Sequence, residues 1–194
     1  MIVNSNFVIS EDYLPSHVCD DIVQRAKDLQ DIDGVTGHGL DTTVRNSRIV
    51  WLKDTWIYDW ISPFIHESNK TLGWNFILSS VEDIQFTKYK EKQFYGWHQD
   101  GYNIPDKPND LRKISVVIPL VDSESYEGGD LEFYDCLARP NSKEGYSNKV
   151  LKDERTRKKG SLIFFPSYVY HQVTPVTKGE RLSIVIWYSG APWR

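Results

Sequence analysis

The sequence predicts a mainly β protein with N-terminal helices, folded as a double-stranded β-helix or jelly roll. Three observations carry that expectation. Beyond about residue 76, short runs rich in β-branched and aromatic residues recur between Gly, Pro and Asn turn signals, the pattern of a two-sheet β architecture. Ahead of them lie two stretches with apolar residues at helical spacing, suited to bracing one sheet. Finally, His98 and Asp100 are two positions apart, so on an extended strand both side chains project to the same side and can face one point inside a barrel.

Taken in order, Phe7-Val8-Ile9 reads as an opening strand. Leu14-Pro15-Ser16 offers a helix start with Ser16 as N-cap, since Cys19, Ile22, Val23 and Ala26 follow at helical spacing. Residues 31–43 carry Gly34, Gly37 and Gly39 among aspartates and are expected to form a loop. Residues 45–52 look like a strand entering the core. Trp56, Ile57, Trp60, Ile61, Phe64 and Ile65 then share one face, which predicts an amphipathic helix over 54–69 despite Pro63. That stripe is expected to pack against a sheet and not to bind a cofactor. After Gly73, strands are expected over 76–78, 81–89, 114–120, 131–134, 162–165 and 182–188, with turns at 128–130, 140–142, 159–160 and 178–179. The polar connections 101–110 and 136–158 are too long for hairpin turns and are expected to border the functional pocket.

The 194 residues suit one domain, with helical support over about 1–75 and a jelly-roll core over about 76–190. A net charge of −4 and a pI near 5.7 argue against the basic face that nucleic acid requires, so no nucleic-acid partner is expected. The basic run over 149–159 is broken by Asp153 and Glu154 and reads as a solvated loop. Cys19 and Cys136 form no CxxC pair, which disfavours a disulfide framework or zinc ribbon and suits a reducing compartment. The opening residues lack a basic start and a long apolar run, and no segment approaches the ~18 apolar residues of a membrane span. The expectation is a soluble cytoplasmic protein with no membrane partner.

A second His from a remote strand would complete two imidazoles and one carboxylate, the facial set that holds non-haem Fe(II) with coordination positions left open. The polar residues along the strands extend this pattern. Tyr89, Tyr95, His98 and Asp100 stand as Tyr-x-x-x-x-x-Tyr-x-x-His-x-Asp, followed by Arg112, the Glu127-Gly128-Gly129-Asp130 turn, Gly160 to Ser167, His171 and Arg181-Leu182-Ser183. In this order the chain resembles an Fe(II)- and 2-oxoglutarate-dependent dioxygenase of the prolyl 4-hydroxylase superfamily, over about 45–187.

That resemblance implies His98, Asp100 and His171 as catalytic iron ligands. It implies Arg181, Ser183 and Tyr89 as partners of the distal carboxylate of 2-oxoglutarate, with dioxygen as co-reactant and ascorbate as a candidate reductant. A guanidinium suits that role because it offers a carboxylate two parallel charge-assisted hydrogen bonds. Arg112 and Trp187 match positions that line the substrate entrance in relatives, and Tyr102 is expected beside them. The family often has Gly where this chain has Lys92, which puts the geometry of that turn in question. The retained carboxylate at Asp100 favours hydroxylation over halogenation. The implied reaction is hydroxylation of a peptidyl proline in a peptide or protein substrate, coupled to conversion of 2-oxoglutarate to succinate. Alternatives are a hydroxylase of a free amino acid or other small molecule, a nucleic-acid demethylase and a non-catalytic jelly-roll binding protein. The demethylases carry an Arg six residues after the first, where this chain has Trp187.

Overall fold

On the strand Leu162–Pro166, Leu162 and Phe164 project to one side of their sheet while Ile163 and Phe165 project to the other, and all four are fully buried. A sheet buried on both faces needs a cover on each, and helices supply one and a second sheet the other. The structure, a computed structural model, describes every residue except 4, 5, 37, 38, 102, 105, 106, 136–149, 193 and 194.

The larger sheet runs Ile2–Val3, Val8–Ser10, Leu162–Pro166, Lys107–Pro119, Arg181–Gly190, Ile84–Tyr89, Arg48–Leu52 and Ile32–Asp33, every neighbouring pair antiparallel. The smaller sheet runs Val150–Lys152, Leu131–Tyr134, His171–Val173, Phe94–His98 and Arg45–Asn46. This is the expected antiparallel two-sheet jelly roll. One face of the larger sheet carries Val50, Leu52, Ile84, Phe86, Ile114, Val116, Ile184 and Ile186 against the helices Ser16–Lys27 and Trp56–Thr71. Its opposite face carries Ile9, Val117, Ile163 and Phe165, which meet Leu131, Phe133 and Val173 from the smaller sheet. Among the described residues, no helix is long and apolar enough to cross a membrane.

Several local expectations change. Ser16 is the first helical residue and makes no side-chain cap; the carbonyl of Pro15 instead accepts from the N–H groups of Val18 and Cys19 at 3.0 and 3.2 Å. The second helix spans Trp56–Thr71 and keeps Pro63, which is exposed so that the carbonyl it leaves without a helical donor can meet water. Its buried line is Ile57, Ile61 and Ile65, while Trp60 lies outside that line, 42% exposed. Residues 76–78 form no strand, because the Asn69 side chain takes the N–H and C=O of Phe76 at 3.0 and 2.9 Å. The expected loop 31–43 contains the edge strand Ile32–Asp33. Much of the expected 101–110 connection is strand too, since Asn103–Ile104 pairs with the long strand that begins at Lys107. The 136–158 connection is described only from 150, where a short strand and the 3-10 turn Glu154–Arg157 replace the expected loop; Cys136 and Tyr146 lie outside the described residues.

Candidate active site

His98 ends the strand Phe94–His98, Asp100 follows just beyond it, and His171 opens the neighbouring strand directly opposite His98 in register. All three are buried, and one ligand atom from each lies within 4.8 Å of the others. The His98 Nε2 is 3.7 Å from Asp100 Oδ1, and the His171 Nε2 is 3.5 Å from Asp100 Oδ2. Each imidazole has its Nδ1 against a main-chain carbonyl, Gly96 at 2.8 Å and Val169 at 2.9 Å. A carbonyl can only accept, so Nδ1 carries a proton and each Nε2 is turned toward Asp100.

The carboxylate is tied from the other sheet. Ser115 Oγ donates to Asp100 Oδ2 at 2.8 Å and is itself 2.9 Å from Ser167 Oγ. Burial, reinforced by the neighbouring His171, pushes the His98 imidazole well below its usual pKa and keeps it neutral. Burial alone would raise the Asp100 carboxyl, but His171, His98 and Arg112 outweigh it and hold the group below the usual carboxylate range. Two imidazoles and one ionised carboxylate form a donor set that fits Fe(II).

The triad lines a pocket of about 320 Å³ together with Arg181 and Ser183. Arg181 is 2% exposed, and its guanidinium donates to Ser183 Oγ at 3.0 Å. Tyr89 pairs with Arg181 across the strands, its ring centroid 5.5 Å from the guanidinium carbon. Among the described residues, no carboxylate forms an ion pair with Arg181. Since burying a charge without a counter-charge costs several kcal/mol, this arrangement is suited to receiving an anion.

Arg112 reaches the pocket by an irregularity. Alternation alone would put it with Ile114 and Val116 on the helix-facing side, but a register shift between Arg112 and Ile114 returns it to the pocket side. There its guanidinium carbon lies 3.8 Å from the Trp187 ring centroid and its nitrogens grip Glu82 at 2.7 and 2.6 Å. Trp187 is buried, with its Nε1 near Asp100 but short of hydrogen-bond geometry. Tyr102 lies outside the described residues.

Sequence reasoning missed several lining residues. Arg45 lies over the Tyr95 ring at 4.6 Å, and Tyr95 in turn stacks on His98 with centroids 3.5 Å apart. Ile32, Val35 and Thr36, from the segment expected to be a plain loop, close one wall. A basic residue two positions before Ser47 was a signal for none of this, because Arg45 is held by Ser47 Oγ and the Val35 carbonyl, contacts set only by folding.

The sequence profile of the 2OG-Fe(II) oxygenase superfamily matches residues 84–189. A PKHD-type hydroxylase of Alteromonas mediterranea is 37% identical over 105 residues, which cover 53% of this chain and 41% of that protein. The chain thus spans less than half the length of the curated relatives it matches. A prolyl hydroxylase of Trichoplax adhaerens, solved with a hypoxia inducible factor peptide fragment, superposes with a TM-score of 0.73 at 22% identity, over 95% of this chain and 84% of that one. The viral collagen prolyl hydroxylase of Paramecium Bursaria Chlorella virus-1, solved with 2-oxoglutarate, gives a TM-score of 0.68 at 22% identity, over 97% and 98%. At such identities the solved structures establish the shared fold.

Proposed function

The chain belongs to the 2OG-Fe(II) oxygenase superfamily, and from that membership we propose that it hydroxylates a prolyl residue in a peptide while converting 2-oxoglutarate to succinate. His98, Asp100 and His171 would hold the iron, and Arg181 with Ser183 and Tyr89 would hold the distal carboxylate of 2-oxoglutarate. The observation that carries this reading is the buried guanidinium of Arg181, without a carboxylate partner among the described residues, sharing one pocket with the triad. Bound iron and 2-oxoglutarate supply the oxidising chemistry when dioxygen is present. The chain's own residues orient and shield: the Nδ1 contacts fix both imidazoles, Ser115 aims the Asp100 carboxylate, and Val117, Leu131, Val173 and Val185 keep the pocket walls dry.

Prolyl specificity is supported by the pocket lining and by the prolyl hydroxylases that share the fold. Trp51 and Trp187 lie 6.3 Å apart between ring centroids and offer aromatic faces to an apolar ring. Arg112 beside them can donate to a backbone carbonyl of an extended peptide. The test offers proline-rich peptides, free proline and alkylated single-stranded DNA to the iron-loaded protein under identical conditions. Oxygen incorporation and succinate are measured in each. Incorporation on a peptide, abolished by Asp100→Ala, is expected. Turnover of free proline or DNA with none on any peptide would overturn the prolyl-peptide reading and leave the oxygenase reading standing.

A further inference from the structure

We infer that Arg157 is a positioning residue for the cosubstrate site, acting through the Gly128–Gly129 turn on Arg181. This deepens the proposed function and rests on Arg181 being the partner of the 2-oxoglutarate carboxylate.

Arg157 belongs to the basic run that reads as solvated from its sequence, yet its side chain is only 15% exposed. Its guanidinium lies 4.2 Å above the Tyr126 ring and is spent on the main chain around that residue. Nη2 donates to the carbonyls of Tyr126 at 2.7 Å and Ser123 at 3.1 Å, while Nη1 donates to the Gly128 carbonyl and to Asp130 Oδ1 at 2.8 Å. The planar fork, with five donors in fixed directions, is what allows one side chain to hold three carbonyls and a carboxylate together. Lysine has a single ammonium and cannot span them.

The clamped turn is the one that touches Arg181. Gly128 and Gly129 both have left-handed backbones, at φ +70° and +63°. A Cβ on Gly129 would stand 3.0 Å from Arg181 Cδ and 3.0 Å from Val176 Cγ2, so the bare glycine backbone is packed directly against the aliphatic stem of Arg181. The opposite edge of the turn is pinned by Thr174, whose Oγ1 accepts from the Asp130 N–H at 2.8 Å. Among the described residues, the partners of the Arg181 guanidinium are the Ser183 hydroxyl and, at 5.5 Å, the Tyr89 ring, both of which leave its position to be set by packing of the stem. The stem therefore depends on packing from Gly129, and Gly129 depends on Arg157. A guanidinium set in place in this way measures the distance between the iron and the far end of the keto acid.

The test compares the parent with Arg157→Lys and Arg157→Met, loaded with Mn(II) as a redox-inert probe, by titration with 2-oxoglutarate and with 2-oxoadipate, one methylene longer. Both variants are expected to bind 2-oxoglutarate roughly 10-fold more weakly, the effect typical of removing an outer partner of a ligand-holding residue. They should also lose discrimination against 2-oxoadipate, while Mn(II) affinity stays within about twofold of the parent. Lost chain-length discrimination is a readout that general loosening of the fold would not move without also moving the metal site. Unchanged 2-oxoglutarate affinity and selectivity in either folded variant would overturn the inference. So would failure of both variants to fold, which would make Arg157 a support of the whole barrel. Arg181→Ala is titrated in parallel: if it binds 2-oxoglutarate as the parent does, the cosubstrate assignment itself fails, whatever the Arg157 variants do.

Discussion

Arg181 is a buried cation whose hydrogen bond goes to a neutral hydroxyl, and its energetics separate the free protein from the loaded one. Without 2-oxoglutarate, the guanidinium has lost water and gained little, so Arg181→Met is expected to match the parent in stability or exceed it by about 1 kcal/mol. With 2-oxoglutarate at about 100 times its Kd, the parent should gain roughly 2.7 kcal/mol and the variant about 0.4 kcal/mol or less, because its affinity falls roughly 100-fold or more. Thermal denaturation with and without cosubstrate measures both. A variant less stable than the parent in its absence would mean that Arg181 serves the fold. The same residue scale explains Asp100, where Ser115 comes from the opposite sheet and the aspartate is therefore aimed by a contact 15 positions away in sequence.

At the scale of elements, turns and bulges place what strands alone would misplace. Lys92 sits in a turn at φ +68°, where a glycine would be unstrained; the lysine keeps the geometry, its N–H donating to the Val176 carbonyl at 2.8 Å. A left-handed backbone costs a non-glycine residue roughly 1–2 kcal/mol, partly offset by the greater unfolded freedom of glycine, so Lys92→Gly should stabilise by about 0.5–1 kcal/mol in urea unfolding. Destabilisation would show that the lysine side chain has a contact of its own. The Gly128–Asp130 turn gives a pH prediction. Burial alone would raise the Asp130 carboxyl, but its bonds to Lys152 at 2.6 Å and Arg157 at 2.8 Å hold it below its ordinary value of 3.8. A depressed folded pKa means that this contribution is complete above pH 3.8 and is lost as pH falls through the folded value. Asp130→Asn should therefore flatten the dependence of the urea midpoint on pH below about 4, and an unchanged slope there would refute the assignment.

At the scale of the molecule, the helices and the site occupy opposite faces of the larger sheet. Ile61 is fully buried in the helix-facing cluster, so Ile61→Ala should cost about 2–5 kcal/mol in urea unfolding while the folded fraction keeps its Mn(II) affinity. A folded variant with weakened metal binding would show that the two faces are coupled. The sequence by itself determined the β-rich class, the two helices, the strands near 84–89, 131–134, 162–166 and 181–190, and the offset that puts His98 and Asp100 on one side. These rest on periodicity and spacing, which are local properties of a chain. Tertiary structure alone decided the rest. It tied Phe76 to Asn69 instead of a ladder, turned Arg112 into the pocket by a bulge, and made a wall from Ile32 and Val35. It also drew Arg157 out of a charged run to clamp a turn 29 residues earlier. Each of these depends on a partner distant in the chain, and no local pattern records the face or register on which distant segments meet.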